Sequence, residues 1–140
     1  MVDTDMTDAE RDSFLADVRV GILAIERPGK GPLALPVWYQ CEAGEIVITM
    51  GDDSAKARLL RRAGRATFTV QDEHPPYRYV SAEGPATVTT EPADVADLAT
   101  RYLGPELGRR YAAANPPNDS TAVVRLRPER WLTCDYGKTT

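Results

Sequence analysis

The residues best suited to chemistry lie between Leu33 and Arg65. The segment SAKARLLRR, followed shortly by Arg65, begins with Ser54 and Lys56. Lys56, Arg58, Arg61, Arg62 and Arg65 supply five of the chain's 17 lysines and arginines, with no acidic residue among them. Where such a segment starts a helix, backbone N–H groups without helical partners, a hydroxyl and an ammonium converge, which makes an anion site. Arg58, Arg61 and Arg62 either extend that site or form a solvated basic face. Upstream, LALPVWYQ sets Pro36 inside a strand-like run. Proline cannot donate to a sheet ladder, so it marks an edge or a bulge. There Val37 and Trp38 can offer backbone groups to a flat heteroaromatic ring, or the edge simply stands bare. Tyr77-Arg78-Tyr79 flanks a guanidinium with two aromatics. That suits the wall of a planar ligand or a partner for an anionic tail, and equally a pair of half-buried tyrosines at a strand start. Trp131 reads as an interface anchor, a ring wall or core.

Other site chemistry is missing. There is no GxxxxGK[ST], no GxGxxG after a strand and no GxSxG, and no cysteine lies near the single histidine. Cys41 and Cys134 form no CxxC and are expected as reduced thiols. His74, before Pro75-Pro76, is expected as a solvated loop residue, and no metal site is expected. If the chain is an enzyme, the difficult chemistry belongs to a cofactor. A net charge of −4 speaks against nucleic-acid binding. A local basic cluster on an acidic chain fits a small anionic ligand better. No apolar run approaches the ~20 residues that span a bilayer. The beginning MVDTDMTDAERD has no basic region and no apolar signal core, so the expected compartment is the cytoplasm. With 140 residues, 42% apolar and 27% charged, one globular domain over 1–140 is expected.

The elements that must position these residues follow from local pattern. Thr7-Asp8-Ala9-Glu10 is a capping box, and Phe14, Leu15 and Val18 continue at helical spacing, so a helix is expected over 8–18. Strands are expected at 19–25, 32–40 and 45–50, the last two joined by a hairpin at Ala43-Gly44. A capped helix is expected over 55–63, then strands at 66–71 and 77–90. Gly84-Pro85 predicts a bulge or sharp bend in the long strand. Two helices follow, the first beginning near Pro92 and running to about Leu103, the second at 106–114. Strands at 121–126 and 131–135 close the chain, with 137–140 frayed. Connections this short give a mainly antiparallel sheet, and strands in this number tend to close into a barrel.

In this order and spacing, VGILAI, GPLALPVWYQ, EIVITM, SAKARLLRR, ATFTVQD, PYRYVSAEGPATV and RYLGPELGRRYA resemble the pyridoxamine 5′-phosphate oxidase-like split β-barrel flavoproteins. Within them the chain is most similar to the small actinobacterial flavin/deazaflavin oxidoreductases described as F420-dependent. The resemblance covers about residues 8–135. It implies a six-stranded, antiparallel, Greek-key split barrel and a homodimer with cofactor sites at the interface. It implies that Pro36, Val37 and Trp38 lie against the flavin or deazaflavin ring. Thr49 and Met50 would line the ribityl and phosphate path, and Ser54 and Lys56 would hold the phosphate. Tyr77, Arg78, Tyr79 and Trp131 would come mainly from the partner subunit or the pocket rim. Two features depart from the pyridoxamine phosphate oxidases proper: Ala55 stands where they have arginine before the lysine, and no Arg-x-His occurs near Trp131–Asp135. Vitamin B6 oxidation is therefore not expected.

The function expected is hydride transfer from reduced coenzyme F420 to a small planar organic substrate, with Arg61 and Arg62 meeting the coenzyme's anionic tail. Two alternatives share the fold: an FMN-dependent reductase, and a non-catalytic protein that holds a flavin, F420 or a tetrapyrrole.

Overall fold

A computed structural model describes residues 3–91, 94–116 and 120–139. In chain order the elements are α1 (Asp8–Ala16), β1 (Gly21–Ile25), β2 (Leu33–Val37), β3 (Gln40–Glu42), β4 (Glu45–Gly51), α2 (Ala55–Ala63), β5 (Arg65–Asp72), β6 (Arg78–Thr89), α3 (Val95–Leu103), α4 (Pro105–Ala114), β7 (Thr121–Leu126) and β8 (Arg130–Asp135). Every strand pairing is antiparallel, in the order β2-β1-β5-β6-β7-β4-β3, with β8 also on β6. This is the expected mainly β split barrel with flanking helices. Pro92, where the third helix was expected to begin, lies outside the described residues, and α3 is capped by the Asp94 side chain.

There are eight strands because residues 32–40 do not form one strand. β2 ends at Val37, and β3 starts at Gln40 in the other half of the sheet, on β4. The corner between them buries Tyr39 completely. Its backbone polar groups need partners. The Tyr39 N–H donates to the Tyr102 hydroxyl of α3 at 3.0 Å, and that hydroxyl donates to the Arg19 carbonyl at 2.6 Å. The hairpin at Ala43-Gly44 then forms as expected, with φ of 53° and 80° at the two positions.

α1 stops at Ala16, two residues short of the expected 18, because Asp17 is already extended. Its last carbonyls are capped by side chains from afar. Arg19 donates to Phe14 O (2.7 Å), the Tyr39 hydroxyl to Leu15 O (2.9 Å), and Arg101 to Ala16 O and Asp17 O (both 2.9 Å). The expected frayed end is instead a 3₁₀ turn, Tyr136–Thr139, tied to α1's start. Lys138 donates to the Glu10 carboxylate and to the Asp5 carbonyl, both at 2.8 Å.

β6 joins the two halves. Residues 78–83 lie between β5 and β8, and residues 86–89 pair with β7. Val80, Ala82 and Ala86 are buried on one face and Val88 packs against the same core, as the parity predicted. Of the bulge or sharp bend expected at Gly84-Pro85, no bulge forms against β5. Register against β5 runs unbroken from Asp72–Arg78 to Arg65–Pro85. The strand changes partner at this point, and residues 127–129 cross it closely: Arg127 N–H donates to Pro85 O (2.9 Å) and Glu129 N–H to Glu83 O (2.8 Å). A Cβ on Gly84 would sit 2.0 Å from the Arg127 carbonyl oxygen.

Two outcomes follow from these contacts. Gly84→Ala should lower stability by about 1–3 kcal/mol through overpacking, read as a lower urea midpoint; an unchanged midpoint would mean that residues 127–129 yield freely. The Lys138 bond, and after it the Thr7 N–H, hold the Glu10 carboxyl at about 2 instead of 4.5. A carboxylate depressed in the folded state stabilises above its unfolded pKa and loses that contribution as pH falls through the folded one. Glu10→Gln should therefore flatten the decline of Tm between pH 4.5 and about 2; parallel Tm curves for variant and wild type would count against this coupling.

Candidate functional site

α2 begins as its sequence requires. The Ser54 hydroxyl accepts from Ala57 N–H (3.2 Å) and donates to Gly51 O (2.6 Å), so it serves as the helix cap. The Ala55 and Lys56 amides have no partner within the helix. The basic face is sorted by what each cation touches. The Arg58 guanidinium turns back to the Asp53 carbonyl, and Arg61 pairs with the Asp52 carboxylate and donates to its carbonyl (2.9 Å). Arg65 pairs with Glu129 at 2.9 Å. Arg61, expected with Arg62 at a coenzyme tail, is thus engaged within the β4–α2 turn, whereas Arg62 is exposed with no hydrogen bond or ion pair among the described residues. Lys56 is half-buried in the first turn and has neither hydrogen bond nor ion pair among the described residues.

Beside this turn, a cleft of about 550 Å³ opens between β4 and the α3–α4 hairpin. Trp38, Thr49 and Met50 border it on the barrel side, Asp53 at the turn, and Leu98 and Tyr111 on the helical side. The structure therefore brings Trp38, Thr49 and Met50 to one cleft. It also shows what covers Trp38: the ring stacks on Tyr102 with centroids 4.9 Å apart and planes 5° from parallel, and Tyr111 lies 5.6 Å away, tilted by 51°. Tyr102 and Tyr111 were missed in the sequence. Their available signal was the four-residue spacing Leu98–Tyr102 and Leu107–Tyr111, which puts each tyrosine on the same helix face as a leucine.

The other expected residues lie elsewhere. Pro36 is exposed on β2, which is an edge strand, while the Val37 side chain is in the core. Tyr77 is exposed. Arg78 pairs with Asp72 at 2.8 Å and lies over the Phe14 ring. Its bond, and then the His74 N–H, hold the Asp72 carboxyl down at about 2. Tyr79 is half-buried opposite Cys134, and loss of solvent raises its phenol. Trp131 is covered by the Arg11 guanidinium, 4.1 Å from the ring centre. None of these lines the cleft. His74 is an exposed loop residue and both cysteines are free, Cys41 exposed and Cys134 buried. No cluster suited to a metal ion occurs among the described residues.

The family profile described as Pyridoxamine 5′-phosphate oxidase matches residues 7–135, across β1 to β8 and the cleft residues alike. The chain belongs to the pyridoxamine 5′-phosphate oxidase family, a split-barrel family that includes oxidoreductases. Among solved structures it is similar to a conserved hypothetical protein from Mycobacterium tuberculosis, at 29% identity and TM-score 0.83, covering 99% of this chain and 91% of that one. A structure named as an F420 reductase is similar at 22% identity and TM-score 0.69, covering 86% and 94%. An FAD and heme binding protein from Mycobacterium smegmatis shares the fold at 19% identity and TM-score 0.70, covering 94% and 72%. No curated protein sequence is significantly similar. No helix among the described residues is long and apolar enough to cross a membrane.

Tyr102→Phe should reveal what holds the helical side of the cleft. It removes the acceptor of the Tyr39 N–H and the donor to Arg19 O. A loss of about 1–3 kcal/mol is expected for orphaning such groups, with a changed near-UV dichroism of the Trp38–Tyr102 stack. Wild-type stability and spectrum together would show the hydroxyl to be dispensable.

Proposed function

We propose that this chain is an oxidoreductase that uses reduced coenzyme F420 to pass a hydride to a small planar organic substrate. The observation that carries this reading is Lys56: a half-buried ammonium at a helix start, without a partner among the described residues and three residues after the cleft-lining Asp53, in a chain of this family. A half-buried cation, the helix N-terminus and amides without helical partners suit a phosphate. The donor set therefore fits the phosphate end of F420 or FMN. Thr49 and Met50, which border the cleft from β4, would lie along the path from phosphate to ring, and exposed Pro36 on edge strand β2 offers backbone at the ring's rim. When bound, the coenzyme supplies the hydride. The chain's residues hold and orient it and exclude water. The similar structure named as an F420 reductase supports the choice of coenzyme. The two free cysteines accord with a reducing cytoplasm.

Tyr77, Arg78, Tyr79 and Trp131 belong in this reading to the same site in a homodimer, mainly contributed by the second copy. One face of the sheet supports such pairing. Residues opposite one another share a face, and Pro36, Ile22, Thr69, Ser81 and Leu132 form a row across five strands. The row carries no charge, yet Ile22 is 43% and Leu132 61% exposed.

Titration with F420 and with FMN, followed by tryptophan fluorescence, tests the reading. Micromolar F420 binding is expected, and Lys56→Ala should weaken it by ~1.5–3 kcal/mol, the value of a hydrogen bond to a charged group. Binding of neither coenzyme would sink the redox reading. A yellow protein on purification would transfer it to FMN, and tight binding without turnover would leave a carrier. Ile22→Glu should yield a monomer by analytical ultracentrifugation; a wild-type that is itself monomeric would refute the shared site.

A further inference from the structure

The α3–α4 hairpin is fastened to the barrel by polar ties rather than by core packing. Its two helices are locked on each other, since a Cβ at Gly108 would lie 2.6 Å from the Thr100 Cα. Among the described residues, no other element packs on either helix nearly as closely. Leu98 and Ala99 are buried, yet they stand outside the barrel's continuous apolar core. Leu98 borders two hollows. One is the cleft of about 550 Å³; the other, of about 290 Å³, is lined by Gln40, Val47 and Arg125. The ties sit beyond both ends of the span that bridges them. Before α3, the Glu91 carboxylate accepts from Arg125 Nε at 2.8 Å. At the end of α3, the Tyr102 hydroxyl meets Tyr39 N–H and Arg19 O, and Arg101 reaches the last carbonyls of α1. Water replaces bonds of this kind at small net cost, whereas it does not replace an apolar core. One tie is also incomplete. Arg101 Nε is buried with no hydrogen-bond partner among the described residues. An orphaned donor favours any state that returns it to water.

From this arrangement we propose that the α3–α4 hairpin is a lid that swings from the barrel as one body, opening the cleft to the coenzyme and closing over it, with Tyr102 and Arg101 as the latch at one end and the Glu91–Arg125 pair as the latch at the other. Moving as a unit keeps the packing of α3 on α4 and breaks only the polar ties and the Trp38–Tyr102 stack. A coenzyme in the cleft that touches Leu98 or Tyr111 favours the closed form, because only there does it make those contacts. That the lid serves a coenzyme rests on the redox reading above; the motion itself does not.

The Tyr39 N–H has its acceptor on the lid, so its exchange with deuterium reads the opening. Native-state hydrogen exchange is followed by NMR on the full-length protein, first without coenzyme. The Tyr39 amide is expected to exchange on the order of a hundredfold faster than the slowest amides between β4 and β7, which open only with the whole barrel. Glu91→Gln, beyond the other end of α3, should speed the Tyr39 amide about threefold, the worth of a partly exposed ion pair, and leave the β4–β7 amides unchanged. FMN or F420, at ~10 times the Kd of whichever binds, should slow the Tyr39 amide about tenfold. Exchange of Tyr39 at the β4–β7 rate would mean that the hairpin opens only on unfolding. An unmoved Tyr39 rate in Glu91→Gln would mean that the corner frays alone, and equal acceleration of both sets would mean global loosening. Each of these overturns the proposal. If neither coenzyme binds while both exchange results hold, the redox reading falls and the lid stands. If a coenzyme binds and leaves Tyr39 exchange unchanged, the lid falls and the redox reading stands.

Discussion

Much of the structure depends on one phenol hydroxyl. Tyr102 accepts from the Tyr39 amide and donates to the Arg19 carbonyl, while its ring stacks on Trp38. Those contacts join α3 to the start of β1 and to the corner where the chain leaves one half of the sheet for the other. Arg101, its neighbour, takes the last carbonyls of α1. Two successive residues of one helix therefore satisfy backbone groups in three other segments. A buried corner with unpaired amides would cost more than these bonds add. The corner, the dock of α1 and the cover over Trp38 consequently stand or fall together, and the cleft inherits its shape from that arrangement.

The second constraint is crowding at Gly84. β6 serves both halves of the barrel, and the return of the chain from β7 to β8 passes directly over it. Only a residue without Cβ lets two backbones approach so closely. The same device recurs at Gly108, where a Cβ would lie 2.6 Å from the Thr100 Cα, so that α4 packs tightly on α3. Close packing of that hairpin is what presents Leu98 and Tyr111 to the cleft as one wall.

Charge is divided with similar economy. The β4–α2 turn holds two aspartates and the helix that follows is basic. The aspartates and their carbonyls engage Arg58 and Arg61, which leaves Lys56 and Arg62 as cations of that helix without a partner among the described residues, while Asp53 borders the cleft.

Local signals in the sequence were enough for the helices and most strands. The Thr7–Glu10 box, the Ser54 cap, the 55–63 helix, the 43–44 hairpin and the parity of β6 all depend on neighbours in sequence, and all are found as read. Trp38, Thr49 and Met50, singled out by resemblance to a family pattern, border one cleft. Where the sequence misled, the deciding partner lay far along the chain. Residues 32–40 carry good strand propensity throughout, but the break at Trp38-Tyr39 is set by Tyr102, 63 residues from Tyr39. Gly84-Pro85 has the local look of a bulge or sharp bend, but the close crossing by Arg127 leaves no local trace. Arg61 looked free for a ligand until Asp52, nine residues earlier, was seen to take it. The chain by itself determined which segments are helix or strand and which residue types could meet a flat anionic ligand, because those follow from short-range periodicity and side-chain chemistry. Which cations stay free, what covers Trp38 and where the cleft opens were decided only by tertiary structure, since each depends on contacts that close long loops and leave no local trace in the sequence.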